Sequence, residues 1–534
     1  MSGGGRALLA GLVLAAACAV PLDPPPAGPA DGGGPPRPGG VLRLGSPEDP
    51  HTLDPAKGYD TASWSFELML FDTLVAYDQG TNLVPELAAS WEVSADGRRW
   101  AFRLRPDVRF STGRPLTAAD VKFSLERLLK PTIHSQGAEF FAGLEGAADF
   151  GAGRAAEVRG IVVPAPDRVE FVLREPDPLF LHKLAMPFAS VVDPETVARV
   201  GDDAFAQHPV GTGAFRLAEW TYGQRLRLER NPHYFRAGLP YLDGVEVTIG
   251  VSDQLAWFKY QRGELDLAGI PSAEFPRVVI DPRYRPLLLE RTTLTTQYLG
   301  MNCALPPFDD VDVRRALNRA VDKQRLLALI DGRGVVADEI LPPDMPAYDP
   351  ELHPYAFDLA AARAELAAAG HPGGFATTLW ATRDDGTLRI AQSIQQDLRA
   401  LGIALAIKPV DFPALLEAVR RPGMVPLFLM GWEADFPDPS NFLAVLFHSR
   451  NRDTNNNTFF ADRAVDRLLD EAEPLLAGPR RWQLYHAAEV RILADAPWVP
   501  LFHPSSFAVR HPRVRDYRLH PLRPARLETV WLAW

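Results

Sequence analysis

Apolar and polar positions along this chain fall into two recurring patterns, short apolar or alternating runs bounded by turn residues and longer stretches with helical spacing. Residues 41–44 set apolar positions around Arg43 like a half-buried strand, and 66–75 carry helical spacing leading to Tyr77. Residues 91–93 and 100–104 flank Ser94-Ala95-Asp96-Gly97, which predicts a hairpin. Thr117 and Asp120 open a capping-box-like helix over 121–129, and 161–164 pairs with 169–173 across Pro166-Asp167-Arg168. Strands follow at 215–220, 225–230 and 245–251, then a helix over 252–263. Gly211 and Gly213 sit in no phosphate-loop pattern and read as backbone turning.

From residue 297 the order changes to alternating strand and helix: strand 297–302, helix 312–330, helix 358–369, strand 376–381, helix 387–401, strand 403–409. Such alternation predicts an α/β lobe. Asp309, Asp310 and Asp312 precede a helix and complement its N-terminal dipole. Helices over 462–475 and 479–494 come next, then strands at 499–502, 506–510 and 517–519 and a final apolar run over 530–534.

Length excludes a single core: 534 residues imply two or three lobes. Hydrophobic content of 46% and charged content of 23% suit a globular chain of normal proportions. A net charge of -11, with no long Lys/Arg block, argues against nucleic acid as partner. Arg6 followed by the apolar run 7–20 is too short to span a bilayer and reads as an export signal over 1–17. Ala15 to Ala17 lead into Cys18, a candidate lipidation site, although Leu14 stands one place further back than the usual lipoprotein pattern prefers. Residues 18–40 then form a Pro/Gly-rich flexible tether. With Cys18 assigned to the anchor, Cys303 has no partner for a disulfide and is expected in the core.

Candidate chemistry concentrates in 427–450, LFLMGWEADFPDPSNFLAVLFHSR. A strand over 427–430, ended by Gly431, delivers Glu433, Asp435 and Asp438 beside Trp432, a setting for an ammonium group. The competing reading makes Asp435 and Asp438 ordinary turn and N-cap residues before a helix over 441–447. Catalytic motifs are missing: no H-E-x-x-H, G-x-S-x-G or C-x-x-C occurs, and His503, His511 and His520 show no metal-ligand spacing.

This segment resembles the G-W-x-x-D-x-x-D-P-x-N-F stretch of the periplasmic dipeptide and oligopeptide binding proteins, solute-binding family 5 of ATP-driven importers. Residues 39–56, 71–108, 210–215 and 298–326 resemble that family too, in its order. The resemblance implies an α/β, two-lobed periplasmic-binding-protein fold of type II with an extra subdomain in the first lobe. Its divisions here are 41–295 for lobe I, with the insert at about 83–205, 296–503 for lobe II, and 504–534 returning to lobe I. Crossings near 295 and 503 then make a hinge.

The same resemblance implies that Asp435 takes a peptide's α-amino group, that Arg383 meets its carboxylate and that Trp432 walls the cleft. It implies capture of peptides outside the cytoplasm, as a monomer without cofactor, and delivery to ABC permease subunits. Relatives carrying nickel complexes, haem, opines or oligosaccharides keep a non-peptide solute open. An anchored hydrolase using the Glu433/Asp435 pair is the reading from another class.

Overall fold

The computed structural model describes residues 34–533. Cys18, the export signal and most of the tether lie outside the described residues. Near the start of the described chain a four-stranded sheet forms in the order Val41–Ser46, Gly244–Ile249, Arg225–Arg230, Phe215–Thr221. Its first pair is parallel and the others are antiparallel. Next to it, Ala88–Val93, Arg99–Leu104, Arg168–Val172 and Ile161–Ala165 make an antiparallel sheet. Trp100, Phe102 and Leu104 point alternately into a core shared with Val121, Leu125 and Leu128 of helix Ala118–Leu129. Period two in the strand and period 3.6 in the helix thus meet on one buried face. The capping box of Thr117 and Asp120 opens that helix as expected.

An eight-stranded sheet dominates the rest. Its main order is Leu267–Gly269, Trp498–Arg510, Thr295–Met301, Leu427–Glu433, Ala376–Thr382, Ala404–Val410. Phe428 enters the core formed with Tyr298, Phe442, Tyr485 and Trp498, whereas Leu427 and Leu429 enter another with Leu379, Ala391 and Ile394. Burial on both faces explains the unbroken apolar run at 427–430.

Several elements differ from expectation. The helix expected over 66–75 is Thr61–Leu70, because Asp60 accepts from Ser63 N and starts it earlier. The single helix expected over 312–330 is two, Val311–Ala320 and Lys323–Leu329, since Asp322 caps the second by accepting from Arg325 N at 3.0 Å. Strands 499–502 and 506–510 are one 13-residue strand, Trp498–Arg510. Residues 517–519 form no strand; the terminal pairing joins Val514–Arg515 to Trp531–Leu532.

Gly431 does not end its strand, which runs on to Glu433; a Cβ there would lie 2.4 Å from Gln297 Nε2. Gly213 likewise serves close approach rather than turning, as its Cβ would lie 2.4 Å from the Leu70 carbonyl carbon.

Strand Trp498–Arg510 pairs first with Thr295–Met301 and then with Leu288–Thr292. Between those pairings Thr293 N and Oγ1 both donate to the Pro504 carbonyl, at 2.9 and 3.0 Å. Two chain passages therefore run side by side there. No helix among the described residues is long and apolar enough to cross a membrane.

Candidate ligand-binding site

Beside those passages lies a cavity of about 630 Å³. Residues 44–47 and the segment from Tyr59 to Met69 line one side, Glu433 to Asp435 the other, and 517–527 close it near Thr293. The cavity thus sits where the end of strand Leu427–Glu433 faces residues 44–47 and 59–69.

Asp435 is held by Asn441, a buried residue of the following 3₁₀ turn. Asn441 Nδ2 donates to Asp435 Oδ2 at 3.1 Å, and its Oδ1 accepts from Asp435 N at 3.1 Å and Trp432 Nε1 at 3.2 Å. Trp432 is therefore a brace behind the turn: it packs against the core, and it is not among the cavity-lining residues. Asp438 follows the turn-and-cap reading. It accepts from Ser440 N, is 1% exposed and pairs with Arg481 at 2.9 Å.

Arg383 stands elsewhere, at the end of strand Ala376–Thr382. Its exposed side chain lies 3.4 Å from Asp411, next to a smaller pocket lined by Thr382, Thr387 and Phe412. The structure brings Glu433 and Asp435 together but does not bring Arg383 to them.

Sequence reasoning did not single out Arg523, Trp64 or Tyr59, and it weighed His520 only as a metal ligand; all four line the cavity. Arg523 donates from an NH2 nitrogen to the Asp435 carbonyl at 2.8 Å, and its guanidinium lies 4.8 Å from the Trp64 ring centre. Trp64 Nε1 is fixed on the Gly58 carbonyl at 3.1 Å. His520 shapes the loop that delivers Arg523: its Nδ1 accepts from Leu522 N and Arg523 N, and its Nε2 lies 3.2 Å from the Asp78 carbonyl. Burial lowers the His520 pKa to about 4, so at neutral pH the ring is an uncharged clamp. Only the flanking Pro521 and Pro524 hinted in sequence that this tail was a shaped loop.

Charges around the cavity are poorly matched within the protein. Loss of hydration raises the Glu433 pKa, opposed by Arg523 and reinforced by Asp435. Burial lowers that of Arg523, while Tyr77, Asp435 and Glu433 oppose the shift. Neither Arg523, Glu433 nor Asp435 has an ion pair within 4.0 Å among the described residues. No group of three or more His, Cys, Asp or Glu side chains among these residues could hold a metal ion. His503 instead lies 3.1 Å from Thr296 Oγ1, and Cys303 is a partly buried thiol raised to about 11 by burial.

Residues 82–454 match the model of bacterial extracellular solute-binding proteins, family 5 (middle region). The chain belongs to that family. Members are binding proteins, and this chain is one rather than an enzyme. Its similarity extends beyond the matched region. Over 476 residues it is 32% identical to "Heme-binding protein A" of Haemophilus influenzae, covering 85% of each chain. The solved "Clavulanic acid biosynthesis oligopeptide binding protein 2" is 30% identical, with a TM-score of 0.83 over 93% of this chain and 96% of that one. The "ABC transporter-associated periplasmic binding protein DppA" of Helicobacter pylori, in complex with the peptide STSA, is 27% identical, with a TM-score of 0.70 over 93% of this chain and 98% of that one. The two-lobed α/β fold and the family membership expected from sequence are both borne out.

Proposed function

We propose that this protein captures peptides between its lobes outside the cytoplasm and delivers them to the permease of an ABC importer. One observation carries the peptide reading: Asp435 lines an interlobe cavity, is oriented by Asn441, and has no cationic partner within 4.0 Å among the described residues. A carboxylate placed this way suits a ligand ammonium, which brings both the charge and the donors. Two similar solved structures, one named an oligopeptide binding protein and one a peptide complex, support it.

In this reading the lobes divide at the paired passages near 295 and 503, with the insert at about 83–205. Arg383 waits on the lobe II face for a distal ligand carboxylate. A lower TM-score with the peptide-holding relative than with the other fits a hinge that closes on ligand. Cleavage before Cys18 and lipidation there tether the body to a membrane. A haem-like solute is the second reading, favoured by the named relative that binds haem.

Calorimetry with the tripeptide Ala-Phe-Ala and its N-acetyl derivative tests the proposal. The free peptide binds and the acetylated one binds at least about 30-fold more weakly, the equivalent of about 2 kcal/mol for a lost buried charge pair. Equal affinity for the two removes the ammonium from the site.

A further inference from the structure

We infer that Arg523 binds a ligand carboxylate next to the ammonium held by Glu433 and Asp435, so that the site reads a complete α-amino-acid head. This rests on the peptide reading and narrows it to ligands that carry ammonium and carboxylate on one carbon, as a γ-linked glutamyl peptide does. An α-linked peptide offers only a neutral carbonyl at that place.

Some buried or half-buried arginines of this chain have carboxylate partners at close range, Arg127 with Asp54 at 2.7 Å, Arg481 with Asp438 at 2.9 Å and Arg526 with Glu86 at 2.8 Å, whereas Arg314 and Arg333 bond backbone carbonyls but do not line this cavity. Arg523 has none within 4.0 Å among the described residues, although its guanidinium lines the cavity and burial disfavours its charge. A half-buried cation without an anion is costly unless something supplies the anion.

Geometry sets which anion fits. Arg523 is hydrogen-bonded to the backbone carbonyl of Asp435 at 2.8 Å, yet it stays beyond ion-pair range of the same residue's carboxylate. The opposite charges are thus more than 4.0 Å apart yet face the same cavity from one short contact. In an α-amino acid the ammonium and carboxylate are about 3 Å apart, and two charged hydrogen bonds of about 2.8 Å complete the bridge. A carboxylate at the far end of an extended peptide lies well beyond that span. Trp64 covers one face of the guanidinium at 4.8 Å, and a planar fork pairs with a carboxylate through its edge. The loop is fixed in advance, because His520 Nδ1 accepts from Arg523 N at 2.9 Å and Leu294 N donates to the Pro521 carbonyl at 3.1 Å.

The isomers γ-Glu-Ala and α-Glu-Ala test this, since they share composition and net charge and differ in which carboxylate adjoins the ammonium. Calorimetry at pH 7 on the full mature chain gives at least about tenfold tighter binding of the γ isomer. Arg523→Gln brings the two isomers within about twofold, while Arg523→Lys, which keeps the charge but not the fork, retains part of the preference. Thermal melts establish that both variants fold; if Arg523→Gln does not, Arg523→Lys carries the comparison. Equal or tighter binding of the α isomer by the unmodified protein overturns the assignment to Arg523 and leaves the peptide reading intact. Failure of both isomers and of Ala-Phe-Ala to bind overturns the peptide reading itself.

Discussion

Asp435 and Asp438 stand on the same turn, yet the regions on either side of it treat charge in opposite ways. Behind the turn, Asp438 and Arg481 are almost wholly buried, 2.9 Å apart, and Arg481 also donates to the carbonyls of Ala472, Glu473 and Leu475. Every strong charge there meets a partner inside the protein. In front, Asp435, Glu433 and Arg523 share a cavity without pairing within 4.0 Å. Charges that hold the fold are satisfied within it, whereas charges that await a ligand are held in place by neutral groups such as Asn441 and the Asp435 carbonyl. What separates structural from ligand-facing carboxylates here is the partner and not the degree of burial alone.

Breaking the rear pair should have the largest effect. Asp438→Ala leaves Arg481 buried and uncompensated, so urea unfolding should show a loss of about 3–5 kcal/mol. A loss under about 1 kcal/mol would show that the two regions are not different in kind. In front, Asp435→Asn should leave unfolding nearly unchanged while weakening Ala-Phe-Ala by about 30-fold or more in calorimetry, on the order of 2 kcal/mol. Affinity within about twofold of the parent would make Asp435 a turn residue like Asp438.

A third region sharpens the contrast by being buried, acidic and without an ion pair to a cation among the described residues. Glu489 accepts from Ile340 N and Leu341 N through Oε1, and burial raises its pKa to about 8. Because the folded-state pKa lies above the ordinary carboxylate value, the folded state holds the proton longer than the unfolded one. Its stabilising effect is complete below about pH 4.3 and is lost as pH rises toward 8, by up to about 1.4 kcal/mol per pH unit. Glu489→Gln keeps the acceptor and removes the titration, so its unfolding free energy should vary less between pH 5 and 8 than the parent's. Parallel pH curves for the two proteins would refute this. The smallest effect belongs to Arg383: its pair with Asp411 is exposed on both sides, so Arg383→Gln should change stability by less than about 0.5 kcal/mol.

Much of the fold was legible from local pattern. Hairpins, the capping box at Thr117 and the buried strand at 427–430 depend on neighbours a few residues apart, and these came out as read. Some errors came from local caps, Asp60 and Asp322, that shifted or split a helix, and others arose where a distant contact set the outcome. Gly431 reads as a strand end until Gln297 is placed against it, and 499–510 reads as two strands until Leu288–Thr292 and Thr295–Met301 are both seen to pair with one.

By itself the sequence determined the family, the order of strands and helices, and Asp435 as a candidate, because each is carried by residue types at short, fixed spacing. Only the tertiary structure decided which charges meet. It joined Asp438 to Arg481 across 43 positions and Arg523 to the Asp435 carbonyl across 88, and it left Arg383 on the surface beside Asp411. Charge pairing depends on distance in space, and one-dimensional spacing carries almost none of that between residues tens of positions apart.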